Sequence, residues 1–132
     1  MKRLIIALAL FMPTSAMAGQ ITMKCEVSVN IVLLDSDILR YSEGIFYDTI
    51  ELRVDGEWKE AEFPDWFENT RISDHSVTFE WTYGLGDYFV RFKKALDFFS
   101  GSYQYEKYKS PDGTDGSWER DTSKSYDCYI IK

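Results

Sequence analysis

The sequence predicts an all-β domain, and within that class a small antiparallel up-and-down barrel of about eight strands. Three observations point there. Apolar and polar residues alternate with a period of two through most of the chain, aromatic residues make up 17% of it, and turn-forming residues recur at short, steady spacing. Strands favour aromatic and β-branched residues, whereas a helical domain draws more on Ala and Leu. A closed barrel suits the pattern because it hides strand edges and brings the first and last strands together. A two-sheet β-sandwich is the alternative fold.

The opening residues do not read as part of that fold. Met1-Lys2-Arg3, the apolar run Leu4 to Met12 and the small-x-small end Ala16-Met17-Ala18 are the parts of a cleaved secretory signal peptide at 1–18. The apolar run is about half of the ~20 residues that cross a bilayer. Removing 18 of 132 residues leaves 114, one domain at 19–132, and the net charge moves from −7 to −9 as Lys2 and Arg3 leave. So acidic a chain lacks the basic footprint that displaces phosphate counterions, which excludes a general nucleic-acid binder. No later apolar run is long enough for a membrane-crossing helix, so the expectation is an exported protein, periplasmic or extracellular.

The first strand is the clearest. Ile21, Met23, Cys25, Val27, Val29, Ile31 and Leu33 take the odd positions and mostly polar residues the even ones, with Asp35-Ser36-Asp37 as the closing turn. A second alternation starts at Phe46 and continues through Ile50, Leu52 and Val54. Asp55-Gly56 then marks a hairpin. A three-residue bulged loop there would set Glu51 opposite Lys59 and Arg53 opposite Glu57, and charge pairing favours it over a two-residue loop. Pro64 breaks the pattern within Phe63 to Asn69, which reads as a loop. Ile72, Val77 to Tyr83, and Tyr88 to Leu96 follow as strands, with a helical turn over Lys93 to Phe99 as the alternative for the last part. A two-residue turn at Ser100-Gly101 would pair Phe98 and Leu96 with Tyr103 and Tyr105. Ser110 to Gly116 is a polar loop, followed by strands at Ser117–Asp121 and Ser125–Ile131.

Cys25 lies in phase with Met23 and Val27, and Cys128 with Tyr126 and Ile130, so both should face one core. In an oxidising compartment they are expected to form one disulfide between the first and last strands. Asp55-Gly56-Glu57-Trp58 and Asp115-Gly116-Ser117-Trp118 repeat a pattern, read as two tight turns each followed by a buried Trp. Asp112, Asp115 and Glu119 suggest a calcium loop, but the alternate-position spacing such loops need is missing, and a solvated polar loop is expected. His75 is the only histidine; a surface turn position is expected for it, so a His-based catalytic or metal site has no second member. No metal and no cofactor are expected. Trp66 and Phe67 are the candidate contact residues: large rings beside Pro64, either exposed for binding or folded down to plug one end of the barrel.

Lys24-Cys25, Leu39-Arg40-Tyr41, Val54 to Trp58, Ile72-Ser73-Asp74, Asp115 to Trp118 and Tyr126-Asp127-Cys128 give a layout that resembles short exported proteins of bacteria and their phages with no assigned function. That resemblance implies no activity and no site residues. Lipocalins and periplasmic lysozyme inhibitors share the architecture of a small disulfide-tied exported barrel, although no Gly-x-Trp opens the first strand as in lipocalins; the likeness is one of architecture. The expected function is non-enzymatic binding of a small ligand, a sugar or a protein partner. The alternatives are a carboxylate-based hydrolase acting on cell wall or polysaccharide, and a structural envelope or virion component.

Overall fold

A computed structural model describes residues 19–131; the expected signal peptide lies outside the described residues. Nine antiparallel strands form one curled, half-barrel sheet, so the all-β, barrel-like expectation holds. They are β1 (Gln20–Ile31), β2 (Leu34–Ser42), β3 (Thr49–Val54), β4 (Glu57–Glu60), β5 (Glu68–Ser73), β6 (Ser76–Gly84), β7 (Phe89–Asp97), β8 (Ser102–Ser110) and β9 (Glu119–Ile131). The order across the sheet is β4-β3-β2-β1-β9-β8-β7-β6-β5. First and last strands are neighbours in the middle, and the two ends of the sheet are β4 and β5. The linker between these two ends, residues 61–67, spans the seam. Pairing across that seam is discouraged by the edges themselves: β4 is four residues long with Glu57, Lys59 and Glu60, and β5 carries Glu68 and Arg71.

The alternating residues of β1 to β3 and of β6 to β9 bury their apolar sides in one cluster. Met23, Val29, Ile31, Leu39, Tyr41, Ile50 and Leu52 meet Val77, Phe79, Leu96, Phe98 and Tyr103 there. The halves touch directly where the Tyr41 ring lies 5.5 Å from Phe98 and 5.0 Å from His75. β1 and β9 pair through four positions, from Thr22 opposite Ile131 to Cys25 opposite Cys128. The two cysteines are bonded, with Cα atoms 3.9 Å apart, closer than the ~4.4 Å lower end of the usual range. Beyond this bridge β1 bulges between Lys24 and Val29 and stays with β2, while β9 runs on with β8.

Several local expectations are corrected. The first turn is at Val32-Leu33, and Asp35-Ser36-Asp37 belongs to β2. Ser36 has a strand use for its hydroxyl, donating to the carbonyl of Arg53 at 2.6 Å. Phe46 is not in a strand; β3 begins at Thr49, and Phe46 is exposed. The Asp55-Gly56 loop has two residues, with Glu51 opposite Glu60 and Arg53 opposite Trp58. Both loop residues have positive φ, 52° and 79°, the mirror-image turn whose twist matches a hairpin. Glu51 finds its cation on the other side, accepting from Arg40 Nε at 2.9 Å. The turn before β8 holds four residues, Phe98 to Gly101, so Leu96 faces Tyr103 and Lys94 faces Tyr105. Asp97 caps it by accepting the N–H groups of Phe99 (2.8 Å) and Ser100 (3.1 Å), bonds that hold its carboxyl below the usual range, Ser100 contributing most. Gly101 (φ 73°) is required there, because a Cβ would collide with the Cys128 carbonyl.

The two expected strands after residue 116 are one, β9, preceded by a 3-10 turn at Asp115–Ser117. The repeated Asp-Gly-x-Trp pattern therefore sits in two different backbones, a hairpin and a helical turn. Its tryptophans are alike in another way: neither is fully buried, and each lies under an arginine. Arg40 stands 4.3 Å over Trp58, and Arg91 stands 4.3 Å over Trp118.

Candidate functional site

The linker that crosses the seam separates Trp66 from Phe67. Pro64 begins a turn closed by the Phe67 N–H donating to the Pro64 carbonyl at 3.1 Å. The turn folds Phe67 inward, nearly parallel to Phe79 (5.9 Å) and Trp81 (5.2 Å). Trp66 stays 66% exposed and meets Phe67 edge-on at 4.6 Å. So the candidate pair consists of one ring packed against the core and one ring in solvent.

Phe67 is one rung of a longer ladder. Strand pairing sets Trp81 of β6 opposite Phe92 of β7, and their rings stack at 5.1 Å. Phe92 in turn lies 5.8 Å from Tyr83 and 5.8 Å from Tyr105 of β8. Phe67, Trp81 and Tyr105 pack against the core cluster. Tyr83 is 40% exposed. The ladder therefore starts at Trp66 in water, crosses the core margin and emerges at Tyr83. It exists because the registers of β6, β7 and β8 set Trp81, Phe92 and Tyr105 on one face.

Lysines border the ladder. Lys94, 8% exposed, lies 5.4 Å over Trp81 and 5.8 Å over Tyr105, and donates to the Asn30 carbonyl at 2.9 Å. Burial pushes its pKa down to about 8, with Asp35 opposing. Lys107 stands 6.0 Å over Phe92 and pairs with Asp121 at 3.9 Å. Flat apolar faces beside hydrogen-bonding groups are what a pyranose ring requires: its C–H face stacks and its hydroxyls bond.

The other face of the same strands carries carboxylates. Glu80, Lys93 and Glu106 lie opposite one another across β6, β7 and β8, beside a groove of about 300 Å³ that also includes Thr78, Ala95 and Gln104. Glu80 accepts from Asn69 and pairs with Lys93 at 3.6 Å, and Glu106 pairs with Arg120 at 3.4 Å. A general acid sits in an apolar setting, but here both carboxylates are already matched to cations or an amide.

His75 corrects its expectation. It stands in a turn with positive φ (60°), but its side chain is only 17% exposed, between Tyr41 and Phe99, with Nε2 2.8 Å from Glu43 Oε1. In the polar loop, Asp112 is occupied by Thr114, accepting its N–H at 3.1 Å and its hydroxyl at 2.8 Å; the N–H most of all holds the carboxyl low. Among the described residues, no three His, Cys, Asp or Glu side chains form a group that could hold a metal.

No protein-family model matches the chain, and no curated protein or solved structure does. The sequence singles out Trp66 and Phe67 as candidate contact residues, but not the rings of Trp81, Tyr83, Phe92 and Tyr105 that continue from them. All four lie at in-phase apolar positions; only the register of β6 to β8 brings them together.

Proposed function

We propose that the protein is an exported, non-enzymatic β-domain that binds a saccharide on the ring ladder from Trp66 to Tyr83. One observation carries this reading: stacked rings continue from the core margin into solvent at both ends. Buried rings alone need no ligand, since apolar rings ordinarily fill cores. Rings held rigid by stacking and left exposed are a pre-formed platform, which lowers the ordering cost of binding. The signal-like start and a disulfide between the first and last strands fit a domain made for an oxidising compartment. Among the described residues no helix is long and apolar enough to cross a membrane. The partnered state of Glu80 and Glu106 favours binding over hydrolysis.

Titration with chito-, cello- and malto-tetraose, followed by tryptophan fluorescence, tests the proposal. A saturable change is expected with at least one of them, and Trp66→Ala and Tyr83→Ala should each weaken it about tenfold, equivalent to ~1.4 kcal/mol, with unchanged circular dichroism. No response to any of the three, or binding that survives both substitutions, overturns it.

A further inference from the structure

Among the described residues, the most exposed apolar group is on a different surface. In the loop between β2 and β3, Ile45, Phe46 and Tyr47 are 96%, 93% and 71% exposed in succession. Single exposed apolar residues are ordinary, whereas three in a row at a tip are not. The loop is firmly built. Asp48 accepts the Gly44 N–H at 3.2 Å and the Tyr41 hydroxyl. A Cβ at Gly44 would collide with the Tyr47 carbonyl, so the chain is wound too tightly there for any other residue. Glu43 is pinned by His75, and its N–H bonds the Gly19 carbonyl at 2.9 Å. The polar residues anchor the base of the loop, and the three apolar side chains have no part in that anchoring.

Phe99 on the neighbouring turn, 68% exposed with its ring 4.4 Å from His75, extends the apolar surface at the same end. β1 starts and β9 finishes at this end too, with Gln20 opposite Ser42 and Thr22 opposite Ile131.

We propose that this end of the barrel docks on a lipid bilayer, with Ile45, Phe46 and Tyr47 entering the interface between headgroups and chains. A protein partner fits less well. A convex tip of three side chains falls far short of the ~800 Å² per partner of a standard protein interface, whereas a bilayer accepts a small protrusion with no complementary pocket. Aromatic side chains with a polar tip, such as Tyr47, are at home at that depth. Glu43 and Asp48 stand at the base of the tip, and the whole chain is acidic, so the surface it fits is zwitterionic rather than anionic.

An environment-sensitive fluorophore tests this in the full chain, attached at Phe46→Cys or, at the opposite end of the barrel, at Leu33→Cys, which is 93% exposed. Any membrane binding by the N-terminal segment is common to both forms. With phosphatidylcholine vesicles, the probe at 46 should shift to the blue and the probe at 33 should not. Ile45→Ser with Tyr47→Ser should abolish the shift. A probe at 46 that keeps its aqueous spectrum, whether or not the protein floats with the vesicles, overturns the proposal. So does a shift that grows with protein concentration in the absence of lipid, which would mark a second copy as the occupant.

Discussion

Lys94 on β7 donates to the main-chain carbonyl of Asn30 on β1, 2.9 Å away, tying the two halves of the sheet together from the inside. The bond holds down the stretch of β1 that has already left β9. It also keeps an ammonium group buried beside the rings of Trp81 and Tyr105, at a cost that depends on pH.

The sign of that dependence is set by linkage. Lys94 has a pKa near 8 in the folded protein against 10.5 when exposed, so the unfolded chain binds more protons between those values. Stability should therefore rise with pH from about 8 towards 10, by at most ~3 kcal/mol from this group. Above about 10 the trend reverses, because burial raises the pKa values of Tyr41 and Tyr103. Urea unfolding of the wild type and Lys94→Met at pH 7, 8.5 and 9.5 checks it. The rise should be present in the wild type and absent in the variant; parallel curves would contradict it.

Phe67 and Trp66 should separate by stability. Phe67→Ala removes a ring stacked on Phe79 and Trp81, and should cost ~3 kcal/mol or more. Trp66→Ala should cost less than ~1 kcal/mol, since the ring is mostly in solvent. Chemical denaturation of both variants measures the difference, and equal losses would mean that Trp66 is packed.

The β3–β4 hairpin makes a prediction about pairing. Arg40 and Glu51, each about one-fifth exposed and 2.9 Å apart, should show a coupling of ~0.5–1 kcal/mol in a double-mutant cycle. Glu51 and Lys59 should show none, because Lys59 stands opposite Leu52. Coupling of Glu51 to Lys59 would restore the bulged register.

Removing the disulfide should destabilise the domain by up to ~4.7 kcal/mol, the chain-entropy value for a loop of about 100 residues; the observed separation is 103. Cys25→Ser with Cys128→Ser measures it in denaturant. Mass analysis after alkylation should find both thiols blocked only when reductant is added first, and labelling without reductant would contradict the bridge.

The strands were legible wherever one face is buried and the other wet. β1 and β6 alternate cleanly, and the inward phase of Cys25 and Cys128 was enough to expect their bridge. The turns were less legible, because some of them use the wrong residues. Val32 adopts a positive φ of 57° that β-branched side chains avoid, while Asp35-Ser36-Asp37, composed like a turn, is extended. Phe46 continued the alternation in sequence but falls in a loop. At the hairpin, charge pairing argued for a bulge, and the backbone preference of Asp-Gly overrode it, since Arg40 on a third strand could satisfy Glu51. The site was legible only as far as one strand reaches. Trp81, Phe92 and Tyr105 are neighbours across strands, and that relationship depends on turn lengths that composition alone left open.

The position of the bridge also decides how the domain carries load. Tension applied at the outer ends of β1 and β9 would open these strands from one side, like a zip. It would part Thr22 from Ile131, Met23 from Ile130 and Lys24 from Tyr129, and then meet a covalent bond. Everything between the two cysteines, the core and the ring ladder included, lies outside the line of pull. Tethered by both ends, the domain would yield these three rungs, and with them the pairing of Gln20 to Lys24 with β2, and then hold; the force needed to go further would be that of breaking a bond rather than unfolding a protein.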